Sequence, residues 1–218
     1  MNSILASKWT KAVIFPLCLV PLAVLVWRGF HNDLTADPIT FITHTTGIWT
    51  LRFIVITLAI TPLRKILRVP NLIRFRRMFG LFAFFYVCLH FITWIVLDHY
   101  FNWSEMWQDI HKRPYITVGF TGFVLLIPLA LTSTAASIRL LGGKRWRALH
   151  RLIYITAIAG VIHYYWLVKS DVRAPLLYAF LVAILLAWRI AVWVSGRHRQ
   201  AAAEKVHRKG SVAPNLLD

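Results

Sequence analysis

Residues 147–166 read RALHRLIYITAIAGVIHYYW. The run is apolar enough to cross a bilayer, yet it carries His150 near one end and His163 near the other. An imidazole in hydrocarbon is costly, and ionisable side chains in membrane helices face a protein interior and serve a function. The stretch therefore bears on fold and function together: it predicts a membrane helix with histidines turned into a bundle.

The rest of the chain agrees with a membrane setting. Its 218 residues are 58% hydrophobic, more than a soluble domain of that length carries. The ten Trp and seven Tyr suit interfacial belts. The net charge of +17 raises nucleic acid as a partner. The Lys and Arg lie between apolar runs instead of in one patch, which excludes that reading and points to topology and to anionic membrane lipid. Cys18 and Cys88 both sit inside apolar runs, so they read as packing and not as a disulfide or zinc framework. The first apolar run follows Lys8 and Lys11 and continues to Trp27 and Arg28 without a cleavage-site pattern, so it reads as a retained membrane helix.

A spanning helix needs about 20 mostly apolar residues. Six segments meet this: 9–28, 44–61, 79–98, 114–133, 149–168 and 174–194. The fold class is all-α, a polytopic bundle of six transmembrane helices. A haem domain is expected over 1–195, and a basic tail over 196–218 that reads as disordered. With the N-terminus inside, one side holds Lys8, Lys11, Arg64, Lys65, Arg68, Arg74, Arg76, Arg77, Arg139, Lys144, Arg145, Arg147, Arg151 and the cations of the tail. The other side holds only Arg28, Lys112, Arg113, Lys169 and Arg173, along with Asp33, Asp37, Asp98, Glu105, Asp109 and Asp171. The positive-inside rule then puts both termini in the cytoplasm. No strand alternation and no internal repeat is evident.

Of the histidines, His31, His44, His99 and His111 fall at the outer surface and His198 and His207 in the tail, where solvated or interfacial rings are the ordinary outcome. His90 and His163 remain, each in the outer half of a span that starts inside. At a rise of about 1.5 Å per residue they reach similar depth, within about 5 Å. Two facing neutral imidazoles in a bundle core suit the axial positions of a haem iron. Equally, each ring could bond a neighbour or serve a proton path. His150 falls about 20 Å below His163 and about 140° around the same ideal helix, which suggests a second level near the inner surface. Its counterpart positions on the third span are Arg76 and Arg77, not histidine.

The segments TPLRKILRVPNLIRFRRMFGLFAFFYVCLH (61–90), RPYITVGF (113–120) and LTSTAASIRLLGGKRWRALHRLIYITAIAGVIHYYW (131–166) resemble, in the same order, the ferric reductase-like transmembrane family. Within it they are most similar to the haem-binding membrane subunits of bacterial methionine sulfoxide reductase systems. The LGxxWxxLHxLxY pattern appears as Leu141, Gly142, Trp146, Leu149, His150, Leu152 and Tyr154, with Gly143 as an extra residue in the turn.

The resemblance implies an inner-membrane subunit that passes electrons through haem b to a periplasmic molybdenum-cofactor reductase, which repairs oxidised methionines in envelope proteins. It implies haem ligation by His90, His163 and His150, with one or two haems, and an association with FMN or a soluble flavin reductase. On that basis Arg76 and Arg77 are candidates for a haem propionate or flavin phosphate, since guanidinium pairs bidentately with such groups. Arg52 in the second span either meets a propionate or snorkels outward, and His44 at its outer mouth is a further propionate candidate.

The chain has no GxGxxG after a strand and no room for a nucleotide-binding domain, so reducing power must arrive from another protein or a diffusible carrier, such as the flavin reductase that the resemblance implies or a quinol. It needs no substrate-converting site of its own. Two other functions compete: a quinol-linked b-type cytochrome with another acceptor, and a transporter using the histidines as a proton relay. The transporter would want an acidic residue at mid-span or an inverted repeat, and the sequence has neither.

Overall fold

The computed structural model describes residues 8–168 and 170–210. Lys169 and the last residues of the basic tail, 211–218, lie outside the described residues. Eight α-helices are present among them: α1 Lys8–Phe30, α2 Pro38–Ile66, α3 Ile73–Thr93, α4 Trp103–Lys112, α5 Pro114–Leu131, α6 Ala135–Leu149, α7 Leu152–Leu167 and α8 Arg173–Gly210. A 3₁₀ turn, Pro70–Leu72, leads into α3, and a π-helical turn, Trp94–Asp98, follows it. Helices α1, α2, α3 with its flanking turns, α5 and α8 are long and apolar enough to cross a membrane, and α7 is a shorter apolar helix. The chain forms two compact units, Met1–Val182 and Ala183–Asp218.

Two antiparallel pairs dominate the first unit, α2 with α3 and α5 with α7. Helix α2 starts where Asp37 accepts a hydrogen bond from the Thr40 amide and Pro38 supplies a preset first turn. Three of its hydroxyls bond inside the helix: Thr46 donates to Ile42 O (2.9 Å), Thr50 to Thr46 O (3.0 Å) and Thr57 to Phe53 O (2.7 Å). Phe53, Phe82 and Tyr86 stack between α2 and α3.

Helix α1 contains Pro16 and Pro21. Proline leaves the ladder short of a donor, and an inserted side chain is one recognised companion of such a break. Here Tyr86, 1% exposed, fills that role. Its hydroxyl donates to Cys18 O at 2.9 Å and accepts from the Leu22 amide at 3.3 Å, which clips α1 to α3. Cys18 is buried and Cys88 half-buried, and both are free thiols.

Two expectations change. His150 and His163 do not share a helix: α7 begins at Leu152, and His150 caps α6 in the turn before it. That turn is tied to the end of α5, since the Trp146 indole donates to Thr132 O (2.9 Å) and His150 Nε2 meets Thr132 Oγ1 (3.1 Å). Hydropathy alone cannot register that tether. The segment between α5 and α7 is itself a helix, kinked where Gly142 takes φ 73° and ψ 146°, a conformation open to glycine.

His99, expected at a solvated surface, is 6% exposed. The π-helical turn folds it under α4, with Asp109 at 3.5 Å, Asp98 at 3.8 Å and Glu105 at 3.9 Å. Helix α8 runs from Arg173 as far as Gly210, into the basic tail.

Candidate functional site

His90, on α3, and His163, on α7, meet between the two helical pairs. Their ring centroids are 6.1 Å apart and the ring planes lie at 76°. His90 Nδ1 is 2.9 Å from the Thr43 carbonyl of α2. His163 Nδ1 is 2.7 Å from the Tyr115 carbonyl of α5. A carbonyl only accepts, so each Nδ1 carries the proton. In a neutral ring that leaves Nε2 with its lone pair on both residues. Gly47 and Gly119 lie against the two rings.

This is a symmetric pair of ligand-ready imidazoles. Metal-binding histidines commonly donate the other ring N–H to a carbonyl, which fixes tautomer and orientation and raises ligand basicity. Both rings are half-buried.

His150 is prepared differently. Thr132 Oγ1 gives its one proton to Pro128 O at 2.6 Å, so it accepts from His150 Nε2. The lone pair of a neutral His150 is then on Nδ1. Trp146 stacks on this ring, with centroids 4.1 Å apart. Of the two arginines read as its counterparts, Arg76 is half-buried and close enough for its charge to act on His150, while Arg77 is exposed.

Arg52 has protein partners: Nε donates to Tyr178 Oη at 3.1 Å, and the guanidinium lies 4.5 Å over the Trp49 ring. His44 is exposed, tilted against Tyr164 at 5.7 Å, and near enough to His90 to act on it electrostatically. The structure thus joins His90 with His163 and His150 with Arg76, and it ties Arg52 to Trp49 and Tyr178.

The backbone acceptors at Thr43 and Tyr115 were missed, because a carbonyl leaves no mark in a sequence. The two glycines did leave one: each is a small residue in an apolar helix, one turn beyond its acceptor.

Residues 43–161, which run from the Thr43 acceptor into α7, match the family described as ferric reductase like transmembrane component. The chain is 51% identical over 182 residues to the protein-methionine-sulfoxide reductase heme-binding subunit MsrQ of Herminiimonas arsenicoxydans, covering 83% of this chain and 84% of the relative. It is 47% identical over 188 residues to MsrQ of Caulobacter vibrioides, covering 84% and 90%. It is 46% identical over 206 residues to MsrQ of Xanthomonas euvesicatoria pv. vesicatoria, covering 92% and 93%. The chain belongs to the ferric reductase-like transmembrane proteins and, within them, to the MsrQ family of multi-pass membrane proteins.

Proposed function

We propose that this chain carries electrons across the bacterial inner membrane through haem b, with His90 and His163 as the axial pair. The observation that carries the reading is the geometry of that pair. Two imidazoles that would hold one metal between them, each through a bond of about 2 Å, need ring centroids about 6 Å apart. The observed 6.1 Å, together with two Nδ1–H groups turned away onto carbonyls, fits a bis-imidazole site. Haem, when bound, supplies a one-electron iron couple whose potential follows its axial ligands, burial and nearby charge.

The chain's own residues do the holding and the steering. Thr43 and Tyr115 keep the Nδ1 protons in place, so neither ring changes tautomer during transfer. Towards the outside, the Tyr115 ring stands 6.3 Å from the His163 ring, and exposed Arg113 donates to Tyr115 Oη at 3.4 Å. This leads from the imidazole to the surface, where the acceptor would be the protein-methionine-sulfoxide reductase that the relatives' name suggests; we take it to be an MsrP-like, molybdopterin-dependent enzyme. Towards the inside, Arg76 and Arg77, with His150 beside Arg76, form a cationic level suited to a phosphorylated flavin such as FMN or to an anionic haem edge. The donor on that side is a flavin reductase or quinol. Six spans with both termini inside follow when α7 is counted as a span and the Lys and Arg excess faces the cytoplasm. His150 as a ligand of a second haem, and His44 and Arg52 as propionate contacts, belong to the same reading. For His150, ligation through Nε2 would require exchange of its Thr132 bond, whereas ligation through Nδ1 would keep it.

The test is a dithionite-reduced minus oxidised spectrum of purified full-length protein, with haem quantified per chain. A b-type, low-spin spectrum is expected. Protein free of haem after expression with ample supply would overturn the reading.

A further inference from the structure

The two imidazoles are held by one arrangement used twice. On α2 the Thr43 carbonyl takes the His90 proton, and Gly47, one turn on, packs against the same ring. On α5 the Tyr115 carbonyl takes the His163 proton, and Gly119, one turn on, packs against that ring. A Cβ on Gly47 would stand 3.1 Å from His90 Cε1 and 3.2 Å from Nδ1. A Cβ on Gly119 would stand 2.6 Å from His163 Nδ1 and 2.9 Å from Cε1. Neither neighbour is the free end of a flexible side chain. Each is a ring bonded to the same helix one turn earlier, so it cannot retreat and keep that bond. Other helical glycines behave otherwise. A Cβ on Gly122 would meet Ala159 Cβ at 3.6 Å, and one on Gly80 would meet Thr57 Cγ2 at 3.7 Å, both ordinary contacts.

The order carbonyl, glycine, histidine is thus the same in both helical pairs: Thr43, Gly47, His90 and Tyr115, Gly119, His163. We propose that Gly47 and Gly119 are positioning residues for the axial imidazoles. They let α2 and α5 approach closely enough for a backbone carbonyl to hold each Nδ1 proton, and together they fix the angle between the two rings. The proposal rests on His90 and His163 being the axial pair. Ring orientation and the hydrogen bond behind a ligand tune the metal it binds, so these glycines act on the spectrum and potential of the haem without touching it.

The experiment uses full-length protein in detergent, with Gly47→Ala and Gly119→Ala set beside Gly80→Ala and Gly122→Ala. The controls absorb the general gain in helix propensity on replacing glycine. Readouts are haem per chain, the low-temperature electron paramagnetic resonance spectrum of the oxidised form, and the midpoint potential. Wild type and both controls are expected to share one low-spin bis-imidazole signal. Gly119→Ala, with the tighter contact, is expected to lose haem severalfold or turn high-spin. Gly47→Ala is expected to keep haem with shifted g-values and a shifted potential.

Should Gly119→Ala fail to accumulate, Gly119→Ala combined with His163→Ala is expected to accumulate as well as His163→Ala alone, because the clash is with that ring. A double variant no better than Gly119→Ala would make the glycine a general packing residue and overturn the proposal. Spectra and potentials of Gly47→Ala and Gly119→Ala that match the controls would overturn it too. Absence of the bis-imidazole signal from wild type would instead remove the axial-pair reading itself, and this proposal with it.

Discussion

The imidazoles of His90 and His163 lie with their planes at 76° and centroids 6.1 Å apart, and each gives its Nδ1 proton to the helix paired with its own. Neither ring depends on the other for its orientation. His90→Ala and His163→Ala are therefore each expected to remove one side of the site and leave the other ring in place. Haem per chain should fall by about tenfold or more, since even partners behind a metal ligand commonly matter by that factor. What remains should be high-spin, with one imidazole. Pyridine haemochrome quantification and the oxidised spectrum check this, and two variants with full haem and a low-spin spectrum would remove both residues from the ligand set.

His150 should behave differently, because its Nε2 is already engaged with Thr132. His150→Ala is expected to keep the low-spin signal of the outer pair. It should also lower stability by about 1–2 kcal/mol, the net value of a buried hydrogen bond with some packing lost beside Trp146. Thr132→Val should mimic the stability loss without touching an imidazole. The comparison of haem content with thermal midpoint separates these roles: loss of the outer signal in His150→Ala would place that ring among its ligands.

The all-α fold was legible because runs of about 20 apolar residues have few other uses. The meeting of His90 and His163 was legible because depth in a membrane helix follows from counting residues. The place of His150 was not. Residues 149–168 have the hydropathy of one span, and only the tether from Trp146 and His150 to Thr132 shows where the helix breaks. His99 was misjudged for a related reason: a π-helical turn shifts register, so a residue near a span's outer end was swung beneath α4. Tyr86 looked like one more core aromatic, and nothing local to residue 86 shows that its hydroxyl serves a proline-bearing helix far away in the chain.

That hydroxyl gives a stability prediction with an internal control. Tyr86→Phe leaves the Cys18 carbonyl and the Leu22 amide without their bridge in an apolar setting. The expected loss is about 1–3 kcal/mol, because unmade buried hydrogen bonds carry a desolvation penalty. Pro21→Ala restores a donor to the α1 ladder and lets the helix straighten, so the donor and acceptor one turn apart can pair directly. Tyr86→Phe should then cost less in the Pro21→Ala background, and the double-mutant cycle should show coupling. Thermal unfolding of the four proteins in one detergent measures it, and additive effects would mean that Tyr86 contributes only as an aromatic ring.

Asp37 supplies a pH-dependent contact at the other end of the same assembly. Hydrogen bonding from Thr40 holds its carboxyl below the ordinary aspartate value. A group whose pKa falls on folding stabilises the fold above its unfolded value, and that contribution fades as pH drops through the lowered, folded value. The first turn of α2 should therefore be fully capped at neutral pH and begin to loosen only below about pH 4. Asp37→Asn keeps a capping oxygen without a titrating proton, so its first turn should show no such transition. Hydrogen exchange of the Thr40 region, expressed as protection relative to the intrinsic rate at each pH, distinguishes them. Wild-type protection should fall with acid and the variant's should stay level. Parallel profiles would mean that the cap carries no linkage to pH. Thr43 lies one turn beyond Thr40, so loosening that reaches it should also weaken the carbonyl that holds the His90 proton, and the acid form should show a shifted haem potential before the protein unfolds.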